Sequence, residues 1–122
     1  MRILIADDSI PVRERLVGYI SEVEGVNIVG QAENTIETMV LTKELNPDLI
    51  VLDIRMPGGT GMDIIYDIKK FNPKIIIIIL TNYHTPEYKQ KCMKEGADYF
   101  FSKSDEYEKI IDVVEELKSK NK

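Results

Sequence analysis

The chain has 122 residues, 43% of them hydrophobic, which suits one domain (residues 1–122) whose core needs no disulfide or structural metal. Its one cysteine, Cys92, excludes an internal disulfide, and no apolar run reaches the ~18 residues of a membrane span, so a cytoplasmic setting is expected. The net charge of −5 argues against direct nucleic-acid binding, which needs a basic footprint.

Short β-rich runs alternate with longer segments of helical period. Arg2–Ala6 is an apolar run that ends in acid, the first predicted strand. Val12, Leu16, Ile20 and Val23 then form one helical stripe, with Pro11 suited to the first turn. Val26–Ala32 predicts a second strand. Asn34 followed by Glu37 marks a helix start of capping-box type, and Ile36, Met39 and Val40 are expected to give that helix its buried face. Asn46-Pro47 stops it. Leu49–Leu52 and Ile75–Leu80 are unbroken apolar runs, as expected of parallel strands covered on both faces. Ile64, Ile65, Ile68 and Phe71 stripe the helix between them. Thr85-Pro86 opens a fourth helix that Gly96 closes. Asp98–Ser102 predicts the fifth strand, and Ser104 is expected to cap a last helix striped by Tyr107, Ile110, Ile111, Val114 and Leu117. The pattern is (βα)₅: an α/β fold with a parallel sheet between two helical layers.

In such a sheet, ligands bind beyond the carboxyl ends of the strands. Asp7 and Asp8 follow the first strand, Asp53 the third, Thr81 ends the fourth and Lys103 follows the fifth. Three clustered carboxylates repel one another, and a hard divalent cation relieves that repulsion. All-oxygen ligation favours Mg²⁺ or a similar ion over zinc. A carboxylate can also act as a nucleophile toward phosphorus, with Lys103 and the cation supplying positive charge and Thr81 a donor.

Asp7-Asp8, Asp53-Ile-Arg-Met-Pro-Gly-Gly-Thr-Gly61, Thr81 and Gly96-Ala-Asp-Tyr-Phe-Phe-Ser-Lys103 together resemble the receiver domains of bacterial two-component response regulators, over essentially the whole chain. The resemblance implies a flavodoxin-like doubly wound five-stranded sheet of order 2-1-3-4-5. It implies that Asp53 accepts a phosphoryl group from the phosphohistidine of a sensor kinase or phosphotransfer protein. Asp8, Asp53 and the Arg55 carbonyl would ligate Mg²⁺ (Mn²⁺ being the alternative ion), with Asp7 acting mainly through water. Thr81 and Lys103 would contact the phosphoryl group, and Phe100 falls at the switch aromatic. Such a protein is not a conventional enzyme, although it promotes its own phosphorylation and dephosphorylation.

The chain departs from the family pattern in several places. Ser104 stands where proline usually follows the lysine, so a trans Lys103–Ser104 bond is expected. Thr60 replaces a frequent Asp. Asn82 replaces a small residue, and the two rate-tuning positions carry the large Arg55 and Tyr83. These three side chains are expected to narrow the path to the phosphoryl group and slow its loss. His84 reads as a solvated loop residue, Cys92 as packing, and the basic Lys118–Lys122 tail as a frayed helix end.

Rival folds fail on particular residues. A dehalogenase-class phosphatase would need an acid where Arg55 stands. Asp7 and Asp8 would repel a flavin phosphate, and Ala6-Asp-Asp-Ser-Ile lacks the glycines of a nicotinamide site. Two readings stay beside the phosphorylated switch: a non-phosphorylatable pseudo-receiver that only binds, and the receiver piece of a longer transcription regulator. The output face is expected on the fourth helix, fifth strand and fifth helix, where a downstream target docks. The fourth helix has the poorest apolar face in the chain. The protein is expected as a monomer or a phosphorylation-dependent dimer, with no membrane partner.

Overall fold

The computed structural model describes residues 1–83 and 85–120, the side chains of 59–61 excepted. His84 and the tail end, Asn121-Lys122, lie outside the described residues. The elements alternate as expected: β1 (Arg2–Ala6), α1 (Ile10–Ser21), β2 (Asn27–Ala32), α2 (Thr35–Leu45), β3 (Leu49–Leu52), β4 (Arg55–Met56), β5 (Gly59–Thr60), α3 (Gly61–Phe71), β6 (Ile76–Thr81), α4 (Pro86–Glu95), β7 (Tyr99–Ser102) and α5 (Tyr107–Lys120). β4 and β5 are two-residue strands paired antiparallel in a small hairpin between β3 and α3. Its turn residue Gly58 has φ +94°, and a Cβ there would sit 2.6 Å from Thr35 Oγ1, so glycine is required twice over.

The remaining five strands form one parallel sheet in the order β2-β1-β3-β6-β7, which is 2-1-3-4-5 once the hairpin is set aside. Residues alternate between its two faces. Leu4, Ile50, Leu52, Ile77 and Ile79 pack with α3, the Cys92 of α4, and Met39 and Leu41 of α2. Ile3, Ile5, Leu49, Val51, Ile78 and Leu80 pack with α1 and α5. Each such Ile or Leu, fully removed from water, contributes about 1.5–3 kcal/mol of transfer free energy.

Helix ends follow their local chemistry. Ser9 accepts from Val12 N (3.4 Å), Asn34 from Glu37 N (2.7 Å) and Thr85 from Tyr88 N (3.3 Å). Asn46 (φ 44°) and Gly96 (φ 119°) end α2 and α4 in the left-handed conformation. No peptide among the described residues is cis, so the Lys103–Ser104 bond is trans as expected.

Three local expectations are corrected. Ile36 and Val40 of α2 are exposed, by 70% and 48%, and the helix buries Thr35, Thr38 and Thr42 instead. The cause lies beneath it. Gly30 of β2 has no side chain, and Leu41 and Leu45 fill that space, 3.7 and 3.0 Å from where its Cβ would be. The close approach suits threonines, whose hydroxyls bond back to the preceding turn: Thr38 to Asn34 O (2.7 Å) and Thr42 to Thr38 O (2.6 Å). Phe71, the last residue of α3, is likewise 42% exposed rather than core. Ser104 does not cap α5, which starts at Tyr107. It sits in the turn before it, its Oγ 2.7 Å from Ser102 Oγ, while Glu106 Oε1 accepts from Ser102 N (2.9 Å).

At the end of the sheet away from the acidic cluster, Lys69 of α3 donates to Ile75 O (2.6 Å) and to Asp98 Oδ2 (2.8 Å). Asp98 Oδ2 also accepts from Ile77 N (2.9 Å). One carboxylate thus fastens the starts of β6 and β7 to the end of α3.

Candidate functional site

The sheet ladder runs one residue past the assigned strands. Asp7 N donates to Ala32 O, Asp53 N to Ala6 O and Lys103 N to Thr81 O, each at 2.9 Å. Backbone pairing therefore fixes the Cα positions of both aspartates and the lysine at one edge of the sheet. Asp7, Asp53 and Thr81 are buried and Asp8 is exposed. Carboxylate oxygens of Asp7, Asp8 and Asp53 lie within 4.8 Å of one another.

Lys103 Nζ stands 2.6 Å from Asp7 Oδ2 and 3.0 Å from Asp53 Oδ2. The other oxygens are held by backbone amides: Asp7 Oδ1 accepts from Ser9 N (2.9 Å) and Asp53 Oδ1 from Arg55 N (3.2 Å). Burial pushes the Asp53 carboxyl above its ordinary range, and the Lys103 ammonium offsets only part of that. For Lys103 burial acts in the opposite sense, but Asp7 and Asp53 together outweigh it and hold the ammonium above its usual value. The site is a charged pair of acids around one cation, with a third acid at the rim. An all-oxygen donor set of this spacing can hold a hard divalent ion.

The remaining sequence candidates surround this centre. Thr81 ends β6, its Oγ1 accepting from Tyr83 N at 3.0 Å. Phe100 is buried with the α3 and α4 side of the core, while Tyr99 and Phe101 stack at 6.1 Å on the other face of β7. Asn82 and Tyr83 are exposed. Arg55 lies over Tyr83, its Cζ 4.2 Å from the ring centroid. It also donates to Tyr88 Oη (3.1 Å). Tyr88 of α4 completes this assembly, its ring centroid 6.0 Å from that of Tyr83. Like Tyr88, Arg13 lies outside the sequence candidates. It donates to the Asp7 carbonyl (2.7 Å) and so braces the turn that carries both acids. Neither has a sequence signal of its own: Arg13 acts through a backbone carbonyl six residues back, and Tyr88 through Arg55 in another element.

A family model described as the response regulator receiver domain matches residues 3–115. The transcriptional regulatory protein CitT of Bacillus subtilis is 32% identical over 122 residues, covering 100% of this chain and 54% of CitT. The crystal structure of a DNA-binding response regulator of the LuxR family from Staphylococcus aureus matches with TM-score 0.86 and 29% identity, over 94% of this chain and 96% of that one. A chain in the CheX–CheY–BeF₃⁻–Mg²⁺ complex from Borrelia burgdorferi matches with TM-score 0.87 and 26% identity, over 96% and 88%. The chain spans about half the length, or less, of the curated relatives it matches. No helix among the described residues is long and apolar enough to cross a membrane. Fold, strand-end acids and family match agree: the chain belongs to the response regulator receiver domains, the phosphorylation-dependent signalling modules of two-component systems.

Proposed function

We propose that Asp53 is the phosphoacceptor and that residues 1–122 act as one cytoplasmic receiver switch. The carrying observation is the meeting of Asp7, Asp8, Asp53 and Lys103 at the carboxyl ends of three strands, β1, β3 and β7, of one parallel sheet. The phosphodonor is a phosphohistidine on a sensor kinase or phosphotransfer protein, a reading that the match to the response regulator receiver family supports. Mg²⁺, which Asp7, Asp8, Asp53 and the Arg55 carbonyl would hold, supplies positive charge beside the transferring phosphoryl oxygens. An Asp53 carboxylate oxygen attacks phosphorus as the bond to the donor imidazole nitrogen breaks, and that nitrogen keeps the electron pair. Lys103, already within 3.0 Å of Asp53, neutralises charge on the phosphoryl group, and the Thr81 hydroxyl donates to it.

The signal then leaves through the α4–β7–α5 face. As Thr81 turns toward the phosphoryl group, Phe100 takes up the space it leaves and α4 repacks. Moving such a switch from 1:99 to 99:1 needs roughly 5.5 kcal/mol of differential stabilisation. Charge-assisted hydrogen bonds from Lys103, Thr81 and backbone amides are of the strength to supply it. A downstream protein target, rather than nucleic acid, suits the charge of −5.

The test is phosphorylation itself. With Mg²⁺ and a small phosphodonor, the chain should gain one acid-stable, base-labile phosphate, seen as a single mass increment. Asp53→Asn should abolish it and Asp8→Asn should weaken Mg²⁺ binding at least tenfold. Wild-type labelling of Asp53→Asn would remove the assignment and favour a receiver that acts by binding alone.

A further inference from the structure

The three acids of the site are not held alike. Both oxygens of Asp7 have partners, in Lys103 Nζ (2.6 Å) and Ser9 N (2.9 Å). So do both of Asp53, in Lys103 Nζ (3.0 Å) and Arg55 N (3.2 Å). Asp8 is exposed, and among the described residues no hydrogen bond or ion pair holds its carboxylate. An oxygen of that carboxylate nonetheless lies within 4.8 Å of those of the other two acids. The backbone on either side must therefore place it. The peptide before Asp8 carries the Asp7 carbonyl, which accepts from an Arg13 Nη at 2.7 Å. The peptide after it carries Ser9 N, the donor to Asp7 Oδ1. Peptide units are planar, so a tie on each restrains the direction in which the Asp8 side chain leaves the chain.

We propose that Arg13 is a positioning residue for the divalent ion: by gripping the Asp7–Asp8 peptide it aims Asp8 at the ion. The inference rests on the reading of the site as a Mg²⁺-dependent phosphoacceptor. Arg13 itself is firmly placed. Its backbone N–H donates to Ser9 O (3.0 Å) in the first turn of α1. Its Nε donates to Gln31 Oε1 of β2 (3.2 Å), and the next residue of that strand, Ala32, accepts from Asp7 N (2.9 Å). The guanidinium thus joins the acid-bearing turn to α1 and β2 at once, and its planar fork fixes the angle between its two bonds. Mg²⁺ demands near-ideal octahedral geometry, so a ligand that wanders is a ligand partly lost. Asp8, with no side-chain partner of its own, depends most on such a grip. Charge alone gives Arg13 the opposite effect. A cation near the site repels a divalent ion, so loss of the charge by itself would tighten Mg²⁺ binding. Loss of the grip weakens it, and the sign of the change separates the two roles.

The experiment is calorimetric titration of the full chain with Mg²⁺, beside initial rates of phosphorylation by a small phosphodonor across a range of Mg²⁺ concentrations. Circular dichroism checks the fold of each variant. Arg13→Ala should raise the Mg²⁺ dissociation constant roughly tenfold, the scale of effect seen when a partner behind a metal ligand is removed. The loss should fall on the Mg²⁺ half-saturation point rather than on the maximal rate. Arg13→Lys keeps the charge and one donor, and should bind Mg²⁺ more tightly than Arg13→Ala despite that charge. Gln31→Ala changes no charge and leaves the Asp7 carbonyl bond in place. It should weaken binding in the same direction by a smaller factor, and it carries the test if Arg13→Ala does not fold. Arg13→Ala binding Mg²⁺ as tightly as wild type, or more tightly, overturns the proposal, and so does a loss confined to the maximal rate. Asp8→Asn is titrated alongside. If it binds Mg²⁺ like wild type, the reading of the site falls and this inference with it. A loss in Asp8→Asn with none in Arg13→Ala overturns this inference alone.

Discussion

α4 and α5 flank the same edge strand, β7, yet they are held in very different ways. α5 buries Tyr107, Ile110, Val113 and Val114. α4, ten residues long, buries only Cys92, with Tyr88 half-buried beside it and Met93 40% exposed. What α4 lacks in burial it replaces with polar ties at its start: the Thr85 cap and the Arg55–Tyr88 bond. Hydrophobic contacts cannot be exchanged without loss, whereas polar ties can be remade with water or phosphate. Low burial beside the site makes α4 the element able to change position at smaller cost than α5.

The largest expected effect comes from breaking α5. Ile110→Ala should cost about 2–5 kcal/mol in urea denaturation, whereas Cys92→Ala, which removes one small buried atom from α4, should cost about 1 kcal/mol. Equal losses would mean that α4 is as firmly docked as α5. Next comes the cap. Thr85→Ala should remove about 1 kcal/mol, felt as roughly fivefold faster amide exchange across 86–95 with α5 little changed. Cys92 gives a second readout of the same opening. Its thiol is buried and pushed up to about 11, so labelling at neutral pH requires α4 to open and should accelerate by the same factor. Exchange altered by a beryllofluoride phosphoryl mimic should concentrate in 86–107. Changes confined to Asp7, Asp53 and Lys103 would place the output elsewhere. The smallest effect is at the solvent-exposed contact of Arg55 with the Tyr83 ring. Arg55→Asn with Tyr83→Ala should hardly touch global stability. It should speed phosphate loss, followed with radiolabel, on the proposal that these side chains flank the approach of an attacking water. An unchanged half-life would show that these side chains do not shield Asp53.

The strand ends were legible in the sequence because each combines an unbroken apolar run with a charged or hydroxyl residue after it, and parallel pairing leaves no choice of where that residue goes. Asp7, Asp53, Thr81 and Lys103 all followed from this. α2 was misjudged for an equally physical reason. Periodicity gives the angular spacing of a stripe and says nothing about which side of the helix the sheet occupies. That was decided by Gly30, twelve residues before Thr42 and in another element, whose missing side chain admits Leu41 and Leu45. Ser104 was assigned to a helix end by composition, but the hydroxyl of Ser102 and the carboxylate of Glu106 captured the turn first. Of the Arg55–Tyr83–Tyr88 assembly, Arg55 and Tyr83 were legible as a pair beside the site, but their direct contact and the part of Tyr88 were not, since the three come from separate segments.

The bond that Asp98 makes to Lys69 gives α4 a fulcrum. Gly96 ends the helix two residues before Asp98, so the carboxyl end of α4 is pinned where α3, β6 and β7 are already fastened together. Its amino end rests beside the loop after Asp53, where Arg55 meets Tyr88. Ten residues make a lever about 15 Å long, and a tilt of about 10° about the pinned end carries Thr85 roughly 2.6 Å. A displacement of a few ångströms at the site end is thereby spread along the whole exposed flank of the helix, in graded amounts that shrink toward Gly96.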